Sequence, residues 1–121
     1  MGKRFVADFQ TSQTDEGIQY IVTDFLTREG FSYTNYNNEL VWKKGVGALT
    51  APQFIKIYSQ NGLVHLEAWI KFAILPGVYC GEMGLDGFFG IAIKKMLKSR
   101  VDMLIAILQQ QRAPVPVQPQ S

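Results

Sequence analysis

Residues 4–11 read RFVADFQT, with Phe5, Ala7 and Phe9 on one side of an extended chain and Asp8 and Gln10 on the other. That alternation predicts a strand with one buried face. The period then changes. Between Asp15 and Glu29 the apolar residues Ile18, Ile21, Val22, Phe25 and Leu26 recur at the spacing of an amphipathic helix. The hydroxyls of the preceding TSQT segment can cap its first turn, and Asp15 and Glu16 suit the positive end of its dipole. Gly30 is placed to end the helix in a left-handed conformation, with Phe31 folding back onto the last turn.

Two short strands are expected next, over 31–36 and 39–44, around Asn37-Asn38, since asparagine tolerates the positive φ of a tight turn. One longer irregular strand is the alternative. The stretch GVGALTAP reads as a loop. The segment QFIKIYSQNGLVHLEAWIKF carries the clearest hairpin signal, Asn61-Gly62. A two-residue turn there sets Gln60 against Leu63, Ile57 against Leu66 and Ile55 against Ala68. On the other face Tyr58 meets His65, Lys56 meets Glu67 and Phe54 meets Trp69. Apolar pairs then share one face and a lysine faces a glutamate on the second, and a slip of one residue would lose both matches.

The glycine-rich stretch GVYCGEMGLDGFFG, residues 77–90, follows as a crossover. A second helix is expected over 88–109, with Phe89, Ile93, Met96, Leu97, Val101, Leu104 and Leu108 inward and Lys94, Lys95, Lys98 and Asp102 outward. Residues 1–110 make a single domain, and the proline- and glutamine-rich residues 111–121 read as a disordered, partly polyproline-like tail. The elements assemble into an α+β two-layer sandwich: an antiparallel sheet of about five strands with two helices on one face, in the order β-α-β-β-β-β-α. Over about residues 3–109 this order resembles the TATA-binding-protein-like and helix-grip (Bet v1-like) arrangements. The resemblance is one of element order alone and implies no function.

Composition narrows the function classes. The chain has 121 residues, 47% of them hydrophobic and 18% charged, and a net charge of +2. Nucleic-acid binding by a domain of this size calls for a larger basic excess, so a nucleic-acid partner is not expected. Cys80 is the only cysteine and His65 the only histidine, which excludes an internal disulfide, a cysteine zinc site and a paired-histidine metal site. No cofactor is implied. The N-terminus lacks a secretory pattern, and the most apolar window, residues 68–80, is broken by Lys71 and Pro76, so a cytoplasmic location is expected.

Three constellations remain. The glycine stretch precedes a helix, as phosphate loops do, but it lacks their lysine signature, and Glu82 and Asp86 put negative charge where an anion would sit. Its Phe88 and Phe89, ahead of two lysines, instead offer a wedge for a membrane surface or a partner, against the plainer reading that they enter the core. The second constellation is the sheet face turned away from the helices, which collects Phe54, Lys56, Tyr58, His65, Glu67, Trp69 and Lys71, joined by Trp42 from the neighbouring strand. Aromatics of this kind favour a dimer interface or simple sheet stabilisation. His65 beside Glu67 could act as an acid–base pair, but no nucleophile or oxyanion arrangement accompanies it, so no enzyme is expected. The third is an apolar pocket beneath the second helix, lined by Phe25, Phe72, Phe89, Met96 and Met103, against a solid core of the same residues. The expected function is therefore that of a small bacterial-type binding module. It would form a homodimer or bind a protein partner through the sheet face or the last helix, with apolar-ligand or lipid binding as the alternative.

Overall fold

The computed structural model describes residues 4–45, 52–75, 78–85 and 91–110; for 72–75, 78–83 and 91–92 it describes the backbone alone. The elements run β1 (Phe5–Gln10), α1 (Asp15–Arg28), β2 (Ser32–Tyr36), β3 (Glu39–Lys44), β4 (Gln53–Gln60), β5 (Leu63–Leu75), β6 (Val78–Met83) and α2 (Ile91–Gln109). The fold is α+β, with one antiparallel sheet ordered β1-β5-β4-β3-β2 and β6 also paired to β5.

The local signals act where the sequence puts them. The Thr14 side chain accepts a hydrogen bond from the Gly17 amide at 3.0 Å and starts α1. Gly30, at φ +92°, ends it: its amide donates to Thr27 O at 3.1 Å and the Phe31 amide to Leu26 O at 2.9 Å. This paired pattern satisfies the last carbonyls of the helix and needs a left-handed residue. Asn37 and Asn38 both take positive φ, as do Asn61 and Gly62, so both hairpins close through two-residue turns that match strand twist. The β4–β5 register is the expected one at every pair, including Phe54↔Trp69, Lys56↔Glu67 and Tyr58↔His65.

Both helices cover the same face. Ile18, Val22 and Leu26 of α1 and Leu97, Val101, Leu104 and Leu108 of α2 join Trp42, Ile55, Val64, Leu66, Ala68 and Ile70 in the main core.

Four features depart from the sequence reading. Residues 78–83 form a sixth strand rather than part of a crossover, pairing Ile70↔Met83 and Lys71↔Glu82, with register shifts beyond Lys71. Glycines weaken the strand signal there, and the irregular ladder fits them. Ile70 pairs with Gln53 as well as with Met83, so β6 lies on the edge of β5 that β1 occupies further along. Trp42 faces the helices, because it lies opposite Ile55; no turn signal between β3 and β4 fixes that register from sequence. On α2, Met96 is exposed and Lys94 is buried. The inward stripe is thus 94, 97, 101, 104 and 108, an alternation of three- and four-residue steps. Phe88, Phe89 and Asp86 lie outside the described residues, and with them the membrane-wedge expectation.

Candidate functional site: the second face of the sheet

The pairing registers fix which side chains meet on the face away from the helices. Arg4, Val6, Asp8 and Gln10 come from the β1 segment, and Leu63, His65, Glu67, Trp69 and Lys71 from β5. From β4 come Phe54, Lys56, Tyr58 and Gln60. These strands place Gln10–Leu63–Gln60, Asp8–His65–Tyr58 and Val6–Glu67–Lys56 in successive rows across the sheet. The expected site residues Phe54, Lys56, Tyr58, His65, Trp69 and Lys71 therefore share one face, but their surroundings differ sharply along it.

At one end Phe54 and Trp69 are buried, with Val41 and Tyr36, in a second small core. Their rings stack at 5.3 Å between centroids, with an interplanar angle of 6°. Tyr36 comes within 4.5 Å of Phe54 and 6.1 Å of Trp69. In a flat sheet β2 and β5, with β3 and β4 between them, would stand about 14 Å apart. The sheet is therefore strongly coiled, concave on this side, and it closes over its own aromatics. The Arg4 guanidinium lies 3.6 Å from the Trp69 ring, and the Lys71 ammonium lies 5.4 Å from the Tyr36 ring. The reading of Phe54 and Trp69 as an exposed contact surface is corrected: both are spent inside the chain. Among the described residues the Trp69 indole N–H has no hydrogen-bond partner.

An ionic chain occupies the middle. Arg4 donates to both carboxylate oxygens of Glu39, at 2.9 and 2.8 Å, and to Glu67 at 2.8 Å. Lys56 donates to Glu39 at 2.9 Å. The hydrogen bonds from Arg4 and then Lys56 hold the Glu39 carboxyl down to about 2, and the bond to Glu39 raises the Lys56 ammonium. Burial pushes Glu67 up, but the bonds from Arg4 and His65 outweigh it, and its carboxyl sits below the ordinary value.

His65 is held between two carboxylates. Its Nε2 lies 2.8 Å from Glu67 and its Nδ1 2.6 Å from Asp8. The hydrogen bond to Glu67, helped by Asp8, raises the imidazole above its usual value against an opposing effect of burial. When protonated, the ring can donate an N–H to each of the two carboxylates. Asp8 was missed as a partner of His65: no short turn joins β1 to β5, so their pairing cannot be read from the chain.

At the far end the face opens. Tyr58, stacked on His65 at 5.0 Å, is 56% exposed and Leu63 is 58% exposed, with Val6 at 50% in the next row. A shallow depression of about 600 Å³ lies here, lined by Asp8, Phe9, Gln10, Tyr58, Gln60, Asn61, Leu63, Val64 and His65.

The residues expected to line a pocket beneath α2 do not gather there. Met96 and Met103 are exposed, Phe25 packs against the core, and the Phe72 side chain and all of Phe89 lie beyond what is described. Among the described residues no helix is long and apolar enough to cross a membrane. No protein-family model, characterised protein or solved structure matches the chain.

Proposed function

We propose that the chain is a non-enzymatic binding module that self-associates through the open end of its second sheet face. The observation that carries this reading is the pair Tyr58 and Leu63, neighbours on one face, each more than half exposed over a concave surface. Tyrosine in such a position supplies rigid, amphipathic contact area, and leaving it in water gains the monomer nothing. Two further features favour a protein partner over a nucleic acid or a substrate. Lys56 is held by Glu39, so the aromatic–lysine alternation is satisfied within the chain. His65 has a carboxylate at each ring nitrogen, so a substrate group would have to displace one of them to reach the ring.

A second surface competes. Met96 and Met103, two turns apart on α2, are 48% and 51% exposed, an apolar stripe on the outer side of the helix. Sedimentation velocity across a concentration series separates the two. Tyr58→Ser with Leu63→Ser should weaken self-association about tenfold or more, the loss of one or two interface anchors. Met96→Lys with Met103→Lys should leave it unchanged. The opposite pattern would move the interface to α2, and a wild-type monomer at every concentration would remove self-association altogether.

A further inference from the structure

The open end of the sheet face holds the chain's only histidine. We infer that self-association through the Tyr58–Leu63 surface takes up a proton at His65, so that the dimer tightens as pH falls through the titration of the ring and loosens as pH rises. The inference rests on the self-association reading and names what regulates that surface.

Placement comes first. Asp8, His65 and Tyr58 form one row across β1, β5 and β4, and Gln10, Leu63 and Gln60 form the next. Rows on one face of a sheet repeat every two residues, about 7 Å. A partner resting on Tyr58 and Leu63 therefore lies across both rows, over the imidazole stacked on Tyr58 and beside Asp8. In a two-fold dimer the same groups are covered on each copy.

The proton count comes next. Asp8 lies 2.6 Å from Nδ1 of His65 and Glu67 lies 2.8 Å from Nε2. A protonated ring can donate to both carboxylates, whereas a neutral ring has a single N–H to give. The two acceptors do not compete for it equally. The Glu67 side chain is 19% exposed and already bound by Arg4, while the Asp8 side chain is 69% exposed. Among the described residues the Asp8 carboxylate is hydrogen-bonded to His65 alone. An N–H is worth most to the acceptor that water cannot reach, so the neutral ring keeps Glu67. Loss of the proton thus leaves Asp8 an unpaired carboxylate facing water.

Water is what dimerisation removes. Covering an unpaired carboxylate costs its hydration, whereas a carboxylate bound to an imidazolium enters the interface with its partner in place. The other charges near the ring do not replace that partner. Arg4 is bound to Glu39 and Glu67, and Lys56 to Glu39. Asp15 is itself negative and is engaged on the helix face by Ser59 and the Asn61 amide. From β4 the ring meets only the uncharged Tyr58. By linkage, a proton that strengthens association is held more tightly in the dimer than in the monomer. The hydrogen bond to Glu67, with help from Asp8, already raises the ring above 6.5, so the change falls on the alkaline side of that value.

Sedimentation velocity on the full chain, at constant ionic strength and about pH 6, 7.5 and 9, tests the linkage with wild type, Asp8→Asn and His65→Gln. Wild-type association should weaken about tenfold from the acid to the alkaline end. Asp8→Asn should flatten the profile at the tight level, because it has no carboxylate to strand. His65→Gln should flatten it at the weak level. His65 is the only histidine, so its ring signals in NMR are unambiguous. They should titrate at higher pH in a concentrated, dimeric sample than in a dilute one. A wild-type dimer of equal strength at all three pH values, or Asp8→Asn with the wild-type slope, would overturn the linkage and leave self-association standing. Tightening with rising pH would overturn it as well. A wild-type monomer throughout would end both readings.

Discussion

Two cross-strand aromatic pairs sit on the same face of the same hairpin and meet opposite fates. Phe54 and Trp69 stack within a closed aromatic cluster, while Tyr58 and His65, four residues nearer the turn, stack in the open. Pair chemistry does not separate them, since both couple a ring on β4 to a ring on β5. What separates them is the curvature of the sheet. Toward Trp69 the β2–β3 hairpin swings over the face and brings Tyr36 down onto Phe54. Arg4, entering β1, seals the gap by stacking on Trp69 and bridging Glu39 to Glu67. Toward Tyr58 nothing among the described residues covers the face. One end has become core and the other is left as surface, so the same residue types are buried at one end and exposed at the other.

The largest effect that should split the two ends is truncation of the rings. Trp69→Ala should cost about 3–5 kcal/mol in urea-induced unfolding, the range for emptying a buried aromatic site. Tyr58→Ala should cost less than about 1 kcal/mol, the worth of an exposed cross-strand pair. Equal costs would mean that the cluster around Trp69 is not a core. Trp69→Phe should cost less than its lost volume implies, because it also removes an indole N–H that has no partner among the described residues.

Arg4 is the next point of leverage. Arg4→Ala removes the stack on Trp69 and three charge-assisted hydrogen bonds, leaving Glu39 and Glu67 without their shared cation. A loss of about 2 kcal/mol is expected. Arg4→Lys should recover less than half of it, since an ammonium cannot form the two-pronged bond to Glu39. A lysine variant as stable as wild type would reduce Arg4 to a point charge and leave the closing of the cluster to Tyr36.

The hairpins, the first helix and its caps were legible because each is fixed by residues within a few positions of one another. Asn61-Gly62 sets a register that carries every pair of β4 and β5 with it. The coiling of the sheet was not legible, because it depends on contacts such as Arg4 with Glu39 that join distant parts of the chain. For that reason Trp69 read as exposed although alternation correctly assigned its face. Trp42 was misassigned for a related cause: the β3–β4 connection carries no turn signal, and a shift of one residue moves a side chain through the sheet. Tyr58, His65 and Lys56 were placed correctly, yet the partner that defines His65, Asp8, arrives on a strand whose pairing no local signal announces.

The smallest expected effect is also the one that tells the ionic chain apart along its length. Glu39, next to the closed end, has a folded value near 2, below its ordinary unfolded value. Its contribution is complete above about pH 4.5 and is lost as pH falls toward 2. Solvent reaches the group, so the contribution is on the order of 1 kcal/mol. His65, next to the open end, is raised rather than lowered. Its contribution is complete below about pH 6.5 and is lost as pH rises through the folded value. Exposure of Asp8 and the nearby solvent hold it to roughly 0.5 kcal/mol. The groups facing His65 are Asp8, Glu67 and Tyr58. Unfolding free energies measured from pH 2 to pH 9 should then show wild type and Glu39→Gln converging in acid. Wild type and His65→Gln should instead converge in base. If the His65→Gln difference stays constant or grows with rising pH, the ring is held neutral, and one carboxylate beside it must carry the proton instead.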